Sequence, residues 1–177
     1  MPLWLIGMMG SGKSVVGRIL AARTDRDFLD TDHLVEESAG RSIGEIFAEE
    51  GEPGFRLRES EAIAAAATSG DAVIATGGGA VLVPANVASM KASGPIVWLQ
   101  ARPSTLASRI GNQSHRPLLN GQSEEDRSGG VDVEKRLSTI LEERLQAYEA
   151  AADYRMATDH VTVEQVAVQI EEIWNAS

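Results

Sequence analysis

The residues best suited to chemistry form a glycine-rich run near the amino end of the chain. The run Gly7-Met8-Met9-Gly10-Ser11-Gly12-Lys13-Ser14 has the pattern G-x-x-x-x-G-K-[ST] at every fixed position. It follows a predicted strand and precedes a predicted helix, which is the context that a phosphate-binding loop requires. Glycines let backbone N–H groups approach phosphate oxygens closely, and the positive end of the helix adds to the attraction. The run therefore predicts a site for a nucleoside triphosphate.

Two side chains of this loop extend its chemistry beyond the backbone. Lys13 supplies a mobile positive charge for the outer phosphates, and the hydroxyl of Ser14 is placed to bind Mg²⁺. We therefore expect ATP and Mg²⁺ as the bound species. The predicted nucleotide contacts in the loop are Gly10, Ser11, Gly12, Lys13, Ser14 and Val15.

A pair of carboxylates follows the second predicted strand. The sequence Asp30-Thr31-Asp32 places both at the carboxyl edge of the sheet, where ligands bind in doubly wound folds. One carboxylate can orient Mg²⁺ through water while the other accepts a hydroxyl proton. The alternative is that Thr31 or Asp32 only caps a helix that begins at His33.

Two further motifs indicate contacts to a small molecule. Gly77-Gly78-Gly79 follows the third predicted strand, and three glycines permit a close approach of the backbone where a plain turn needs one. Glu59 lies one helical turn after Arg56 and can fix its guanidinium, which then suits a substrate carboxylate. The alternative for this pair is a solvated surface salt bridge of little energetic value.

Short apolar runs alternate with longer amphipathic ones along the chain, a pattern typical of an α/β protein with a mainly parallel sheet. The nearly continuous apolar character of several runs favours strands that are covered on both faces. The five predicted strands are 3–6, 28–30, 72–76, 96–99 and 154–157.

Capping signals mark several helix ends. Ser42 with Glu45, and Thr162 with Gln165, have the spacing of capping boxes. Gly51 is predicted to end the first of these helices, and Pro53 is predicted to begin a new one.

One segment lacks any periodicity. Residues 111–132 are polar and rich in glycine, and they lie between two predicted helices. A connection of this length inside a compact domain is usually a lid or a disordered linker. Because it contains Arg116 next to Pro117, we predict a lid within a single domain that spans residues 1–177.

The composition excludes several classes of protein. The chain has 177 residues, with 26 acidic and 16 basic side chains and a net charge of −10, so its average surface repels nucleic acid. It has no cysteine, which excludes disulfides, thiolate metal sites and cysteine nucleophiles. No apolar run reaches the roughly 20 residues that span a bilayer. We therefore expect a cytoplasmic protein with no nucleic-acid or membrane partner.

Taken together, the motifs resemble those of the shikimate kinase family, in the same order and with similar spacing over nearly the whole chain. The residues that carry the resemblance are Gly10-Ser11-Gly12-Lys13-Ser14 with Gly17-Arg18, Asp30-Thr31-Asp32, Gly40-Arg41-Ser42-Ile43 with Ile46-Phe47, Phe55-Arg56 with Glu59, Gly77-Gly78-Gly79-Ala80-Val81, Arg116-Pro117-Leu118-Leu119, and Arg144 with Tyr148.

The resemblance implies both a fold and a reaction. The fold is a three-layer P-loop kinase fold, an α/β architecture with a five-stranded parallel sheet, helices on both faces and a lid. The reaction is transfer of the γ-phosphoryl group of MgATP to the 3-hydroxyl of shikimate. The enzyme is expected to be a monomer with this small molecule as its partner.

The resemblance also implies roles for charged residues. Asp32 is expected to contact the ring hydroxyls and to act as the base, and Asp30 to lie in the outer shell of the metal. Arg56 and Arg144 are expected to bind the substrate carboxylate, with Glu59 orienting Arg56.

Further roles complete the implied site. Gly78 and Gly79 are expected to lie behind the substrate ring, and Phe47 to line its pocket. Arg116 is expected to arrive with the lid at the transferring phosphoryl group, and Arg109 to lie near the adenine.

Two alternatives remain open at this point. The first is another small-molecule kinase, for gluconate or a nucleoside monophosphate. Arg56 and Arg144 with Asp32 favour a hydroxylated carboxylic acid, and three Phe, two Tyr and three Trp offer few partners for stacking a base. The second is a non-catalytic nucleotide-binding protein, against which the full set of charged site residues argues.

Overall fold

The structure is a computed structural model that describes residues 1–111 and 130–175, with only the backbone described for 130–132. Arg116 and most of the predicted lid lie outside the described residues. The sixth helix begins at Gly130, close to the predicted carboxyl end of the lid.

Five parallel strands form one sheet, as predicted, and their order in the sheet is β2-β3-β1-β4-β5. Every neighbouring pair runs parallel. Each predicted strand is present, with ends that differ by at most one residue. The strands are β1 Leu3–Ile6, β2 Asp27–Asp30, β3 Ala72–Ala75, β4 Ile96–Gln100 and β5 Tyr154–Ala157.

Helices fill the connections between these strands. They are α1 Lys13–Thr24, α2 Thr31–Ala39, α3 Ile43–Ala66, α4 Pro84–Ser93, α5 Pro103–Ile110, α6 Gly130–Ala151 and α7 Val163–Asn175, with a 3₁₀ turn at Ala80–Leu82. Within the described residues, none of these helices combines the length and apolar character that crossing a membrane requires.

The helices cover both faces of the sheet, and β1 shows why. Leu3 and Leu5 pack with α1 and α7 on one face, while Trp4 and Ile6 pack with α3, α4, α5 and α6 on the other. All four side chains are fully buried, which accounts for the continuous apolar run in the sequence. The result is the predicted three-layer architecture.

Both predicted capping boxes are present. Ser42 N–H donates to Glu45 Oε2 over 2.8 Å, and Glu45 N–H donates back to Ser42 Oγ over 3.3 Å. Thr162 N–H donates to Gln165 Oε1 over 2.9 Å, and Gln165 N–H donates to Thr162 Oγ1 over 3.2 Å. Local hydrogen bonding thus fixes the starts of α3 and α7.

The cap of α2 differs from the expected one. The helix begins at Thr31 and not at His33, and its cap is Asp30, whose Oδ1 accepts a hydrogen bond from Asp32 N–H over 3.1 Å. The interpretation of Thr31 or Asp32 as the cap is therefore wrong. Thr31 is instead fully buried, and its Oγ1 accepts a hydrogen bond from Gly77 N–H over 3.2 Å.

Helix α3 contains a sharp break at Gly51, where the sequence predicts a helix end. Gly51 has φ 70° and ψ −176°, values outside the helical region, while helical backbone continues on both sides. Only glycine adopts this conformation without strain. The break sets the direction of the segment that carries Arg56 and Glu59.

Replacing Gly51 by alanine is expected to lower the free energy of unfolding by about 1–3 kcal/mol, because a Cβ is strained at this φ and ψ. Urea unfolding monitored by circular dichroism measures the effect. Gly44→Ala is the matched control, since Gly44 has helical backbone in the same helix and alanine is favourable there. Equal stability of the two variants would contradict the strain at Gly51.

Candidate active site

A cleft of about 700 Å³ opens at the carboxyl edge of the sheet, where β1, β2 and β3 end side by side. It joins the glycine-rich loop to the carboxylates after β2 and the glycine turn after β3. The residues that line it are Gly10, Ser11, Gly12, Lys13, Ser14, Val15, Val16, Arg18, Asp30, Asp32, His33, Thr76, Gly78, Arg109, Thr158, Val161, Val163 and Val166.

The glycine-rich loop has the backbone geometry of a phosphate site. Gly10 and Gly12 have φ of 77° and 97°, and Gly12 is the N-cap of α1. The first N–H groups of a helix have no acceptor within the helix, so those of α1 are available to an anion in the cleft. A Cβ on Gly10 would lie only 2.9 Å from Ile110 Cγ1, so the sequence needs glycine there for packing as well.

Lys13 is held against its own loop. Its Nζ donates to the carbonyl oxygens of Gly7 and Met8 over 2.7 and 2.9 Å, and the side chain is 8% exposed. The buried Oγ of Ser11 has no hydrogen-bond partner within the part of the chain that the structure describes. A buried hydroxyl of this kind is costly unless a ligand satisfies it, which fits a phosphate oxygen in the loop.

Ser14 and Asp30 bring a hydroxyl and a carboxylate together at the cleft. Ser14 Oγ donates to Asp30 Oδ2 over 2.7 Å, while the other oxygen of Asp30 caps α2. A hydroxyl and a carboxylate at the start of a helix are the ligands that Mg²⁺ prefers beside phosphates. The two residues that the sequence predicts for the metal are therefore adjacent and chemically suited to it.

The glycine turn after β3 lies against the protein's own charged side chains. A Cβ on Gly77 would lie 2.6 Å from Glu59 Oε1 and 2.8 Å from Asp32 Oδ1. A Cβ on Gly79 would lie 2.5 Å from Arg56 Nη1. The sequence indicates a close approach to a small molecule, whereas the structure shows that two of the glycines are needed for the approach of these side chains.

Arg56 and Glu59 form the predicted ion pair, and it is largely removed from solvent. Arg56 Nη1 donates to Glu59 Oε2 over 2.8 Å, with side-chain exposures of 16% and 1%. The interpretation of this pair as a solvated surface bridge is therefore wrong. Burial raises the pKa of Glu59, and the charges of Arg56 and Arg144 oppose that rise without cancelling it.

Arg144 reaches the same turn from α6. Its Nη1 donates to the carbonyl oxygen of Gly78 over 3.2 Å, and the hydroxyl of Tyr148 donates to the same oxygen over 2.6 Å. Tyr148 is fully buried, and burial raises its pKa well above the usual value. The sequence motif includes Tyr148 but assigns it no role, although its spacing of four from Arg144 places both on one helical face.

Two other predicted site residues have different surroundings. Arg109 donates to the carbonyl oxygens of Gly10 and Thr158 over 3.4 and 2.7 Å, so it joins the loop to the segment after β5 at the edge of the cleft. Phe47 stacks on Phe55 with ring centroids 4.7 Å apart, and the Arg56 guanidinium lies 5.3 Å from the Phe55 ring.

The decisive feature is the convergence of two guanidinium groups from distant parts of the chain. Arg56 lies against Gly79 and Arg144 against Gly78, beside the cleft that Asp32 and Lys13 share. A family profile described as "Shikimate kinase" matches residues 9–174. The chain belongs to the shikimate kinase family.

Individual proteins agree with this assignment. The chain is 45% identical over 174 residues to a shikimate kinase of Symbiobacterium thermophilum, covering 97% of this chain and 95% of that protein. A solved shikimate kinase from Acinetobacter baumannii in complex with shikimate matches with a TM-score of 0.88 and 34% identity, covering 99% of this chain and 93% of that one.

The gluconate kinase alternative shares only the architecture. A gluconokinase from Sinorhizobium meliloti matches with a TM-score of 0.55 and 16% identity, covering 99% of this chain and 94% of that one. Likeness at this identity shows a common fold and carries no information about the substrate.

The raised pKa of Glu59 predicts how stability depends on pH. The folded chain holds the Glu59 proton more tightly than the unfolded chain, so Glu59 lowers the free energy of unfolding as pH rises from about 4.5 through its raised pKa. The charged groups that face it are Arg56, Arg144, Glu52 and Asp32.

Urea unfolding of the wild type and Glu59→Gln between pH 4 and 8 isolates this effect. The stability difference between wild type and variant is expected to shift against the wild type as pH rises. The exposed Glu61→Gln is the control and should show no such shift. A difference that is constant with pH, or that shifts in favour of the wild type, would contradict the raised pKa.

Proposed function

We propose that the chain transfers the γ-phosphoryl group of ATP, bound with Mg²⁺, to the 3-hydroxyl of shikimate. Membership of the shikimate kinase family supports the reaction. The single observation that carries the proposal is that Arg56 and Arg144 meet at Gly78 and Gly79 beside the phosphate-binding loop. We further propose that one domain performs the whole reaction.

The charge balance of the two arginines suits a single carboxylate. Arg56 and Arg144 contribute two positive charges, and Glu59, when ionised, neutralises one of them. These three side chains together carry one positive charge, and the guanidinium donors match the geometry of a carboxylate. We assign substrate binding to these three residues, with Gly78 and Gly79 behind the ring.

Asp32 is proposed as the base that accepts the hydroxyl proton. Its carboxylate lies over Gly77 and lines the cleft together with Lys13 and Ser14. A hydroxyl bound between Asp32 and the phosphate loop would therefore face the terminal phosphate. Phosphoryl transfer depends mainly on such alignment and on charge stabilisation.

The remaining roles follow from the cleft. Lys13 can exchange the carbonyl oxygens of Gly7 and Met8 for phosphate oxygens without leaving the loop. Ser14 and Asp30 would hold Mg²⁺, which when bound neutralises charge on the phosphates. We propose Arg109 as a contact near the adenine.

Four expectations from the sequence stay predictions. The role of Arg116 at the transferring phosphoryl group concerns a residue outside those described. Phe47 is still proposed to line the substrate pocket, and its stack on Phe55, next to Arg56, supports that position. We also still propose that the protein is a monomer and that it is located in the cytoplasm.

A coupled ADP-release assay with ATP tests the proposed substrate. Turnover is expected with shikimate and is expected to be absent with gluconate, CMP and AMP. CMP and AMP each carry a base that needs an apolar slot, and the guanidinium groups of Arg56 and Arg144 do not provide one. Phosphorylation of gluconate or of a nucleotide, with none of shikimate, would overturn the proposal.

Replacing Asp32 by asparagine is expected to lower kcat by about 10²–10⁴-fold, because the proton acceptor is lost while the size of the side chain is kept. ATP binding, measured by calorimetry, should remain close to that of the wild type. Asp27→Asn is the control, because Asp27 is exposed at the opposite end of β2. Turnover of Asp32→Asn at the wild-type rate would remove Asp32 from the mechanism.

A further inference from the structure

A second carboxylate contacts Arg56 from the solvent side. Glu52 Oε1 accepts hydrogen bonds from Nε and Nη2 of Arg56 over 3.3 and 3.0 Å. The Glu52 side chain is 64% exposed, whereas Arg56 and Glu59 are 16% and 1% exposed. Arg56 is thus held between a buried carboxylate and an exposed one.

The two carboxylates use different donors of the guanidinium. Glu59 takes Nη1, while Glu52 takes the edge formed by Nε and Nη2. This edge is one of the forks with which arginine binds a carboxylate through two parallel hydrogen bonds. A carboxylate of the protein therefore engages a fork that a substrate carboxylate can use.

We propose that Glu52 occupies the position of the substrate carboxylate on Arg56 when no substrate is bound. The substrate carboxylate displaces Glu52 from Arg56 when it binds. This inference rests on the proposed function, in which Arg56 binds that carboxylate. Glu52 completes an i,i+4 pair with Arg56 in the favourable order, so it keeps the guanidinium in place when no substrate is bound.

The charges support displacement over simultaneous binding. With Glu52 and Glu59 both ionised, the charges of Arg56 and Arg144 are fully balanced, and no net positive charge remains to attract a further carboxylate. Release of Glu52 into solvent restores one positive charge. An exposed ion pair of this kind is weak, so the exchange costs little.

The position of Glu52 in the chain also suits displacement. It directly follows the non-helical Gly51, so it begins the segment that carries Arg56. Glu59, by contrast, is buried under the glycine turn and has no solvent to move into. Of the two carboxylates, only the exposed Glu52 can leave Arg56 without disturbing the core.

Two roles for Glu52 give opposite results when its charge is removed. If Glu52 competes with the substrate, Glu52→Gln binds shikimate more tightly. If Glu52 only supports Arg56, the same variant binds shikimate more weakly. The sign of the change in Kd therefore decides between them.

Calorimetric titration of shikimate into the full chain without nucleotide measures this Kd. We expect Glu52→Gln to lower the Kd by about two- to fivefold, the range of an exposed ion pair, and to lower the KM for shikimate in the same direction. The gain is expected to shrink at high salt, which screens exposed charges.

Glu49→Gln is the matched control. Glu49 is 59% exposed, lies in the same helix and pairs with Arg41, so its loss removes an equal charge without touching Arg56. Its Kd for shikimate is expected to stay at the wild-type value. An equal gain in both variants would indicate a general field effect and would overturn the inference.

The carboxamide of shikimate provides a second probe. A neutral amide binds a guanidinium too weakly to displace a carboxylate, so Glu52→Gln is expected to leave the Kd of the carboxamide unchanged. If Glu52→Gln binds shikimate as tightly as the wild type or more weakly, the inference is overturned. The proposed function stays intact in that case, provided that the wild type is active. A wild type that neither binds nor phosphorylates shikimate would contradict the proposed function itself, and this inference with it.

Discussion

The buried ion pair between Glu59 and Arg56 is the constraint around which the substrate side of the cleft is built. A carboxylate with 1% exposure is costly unless positive charge compensates it, and Arg56 and Arg144 both contribute that charge. The pair needs space, and Gly77 and Gly79 provide it because neither has a Cβ. The glycine turn thus makes room for the protein's own charged side chains as much as for a ligand. Once the pair is formed, the guanidinium of Arg56 is already fixed beside the cleft.

The order of the strands explains how residues far apart in sequence reach this pair. In a parallel sheet the carboxyl ends of all strands lie at one edge, and β2, β3 and β1 are neighbours there. Asp32 after β2, the turn Gly77–Gly79 after β3 and Lys13 after β1 are therefore adjacent. Arg144 comes from α6, whose Tyr148 donates a hydrogen bond to Gly78 and so joins the helix to the turn. The substrate side and the phosphate side share one edge because the sheet aligns them.

Features that depend on local sequence could be predicted, and features that depend on packing could not. The strands, the capping boxes at Ser42 and Thr162 and the phosphate loop follow from neighbouring residues, and the structure contains them. The cap at Asp30 was missed because Asp30, Thr31 and Asp32 have similar capping chemistry and only the backbone decides among them. The contact of Tyr148 with Gly78 joins residues 70 positions apart, which no local pattern encodes.

The cations of the cleft differ in what holds them, and this difference bears on how the site binds anions. Lys13, Arg109 and Arg144 donate to backbone carbonyl oxygens, which hold these side chains in position. Arg56 donates to two carboxylates, which offset its charge. On a chain with net charge −10, anion binding has to rely on cations that are brought together locally. In the proposed site Arg56 therefore already has negative partners before a substrate binds, and Glu52 is the exposed one of them.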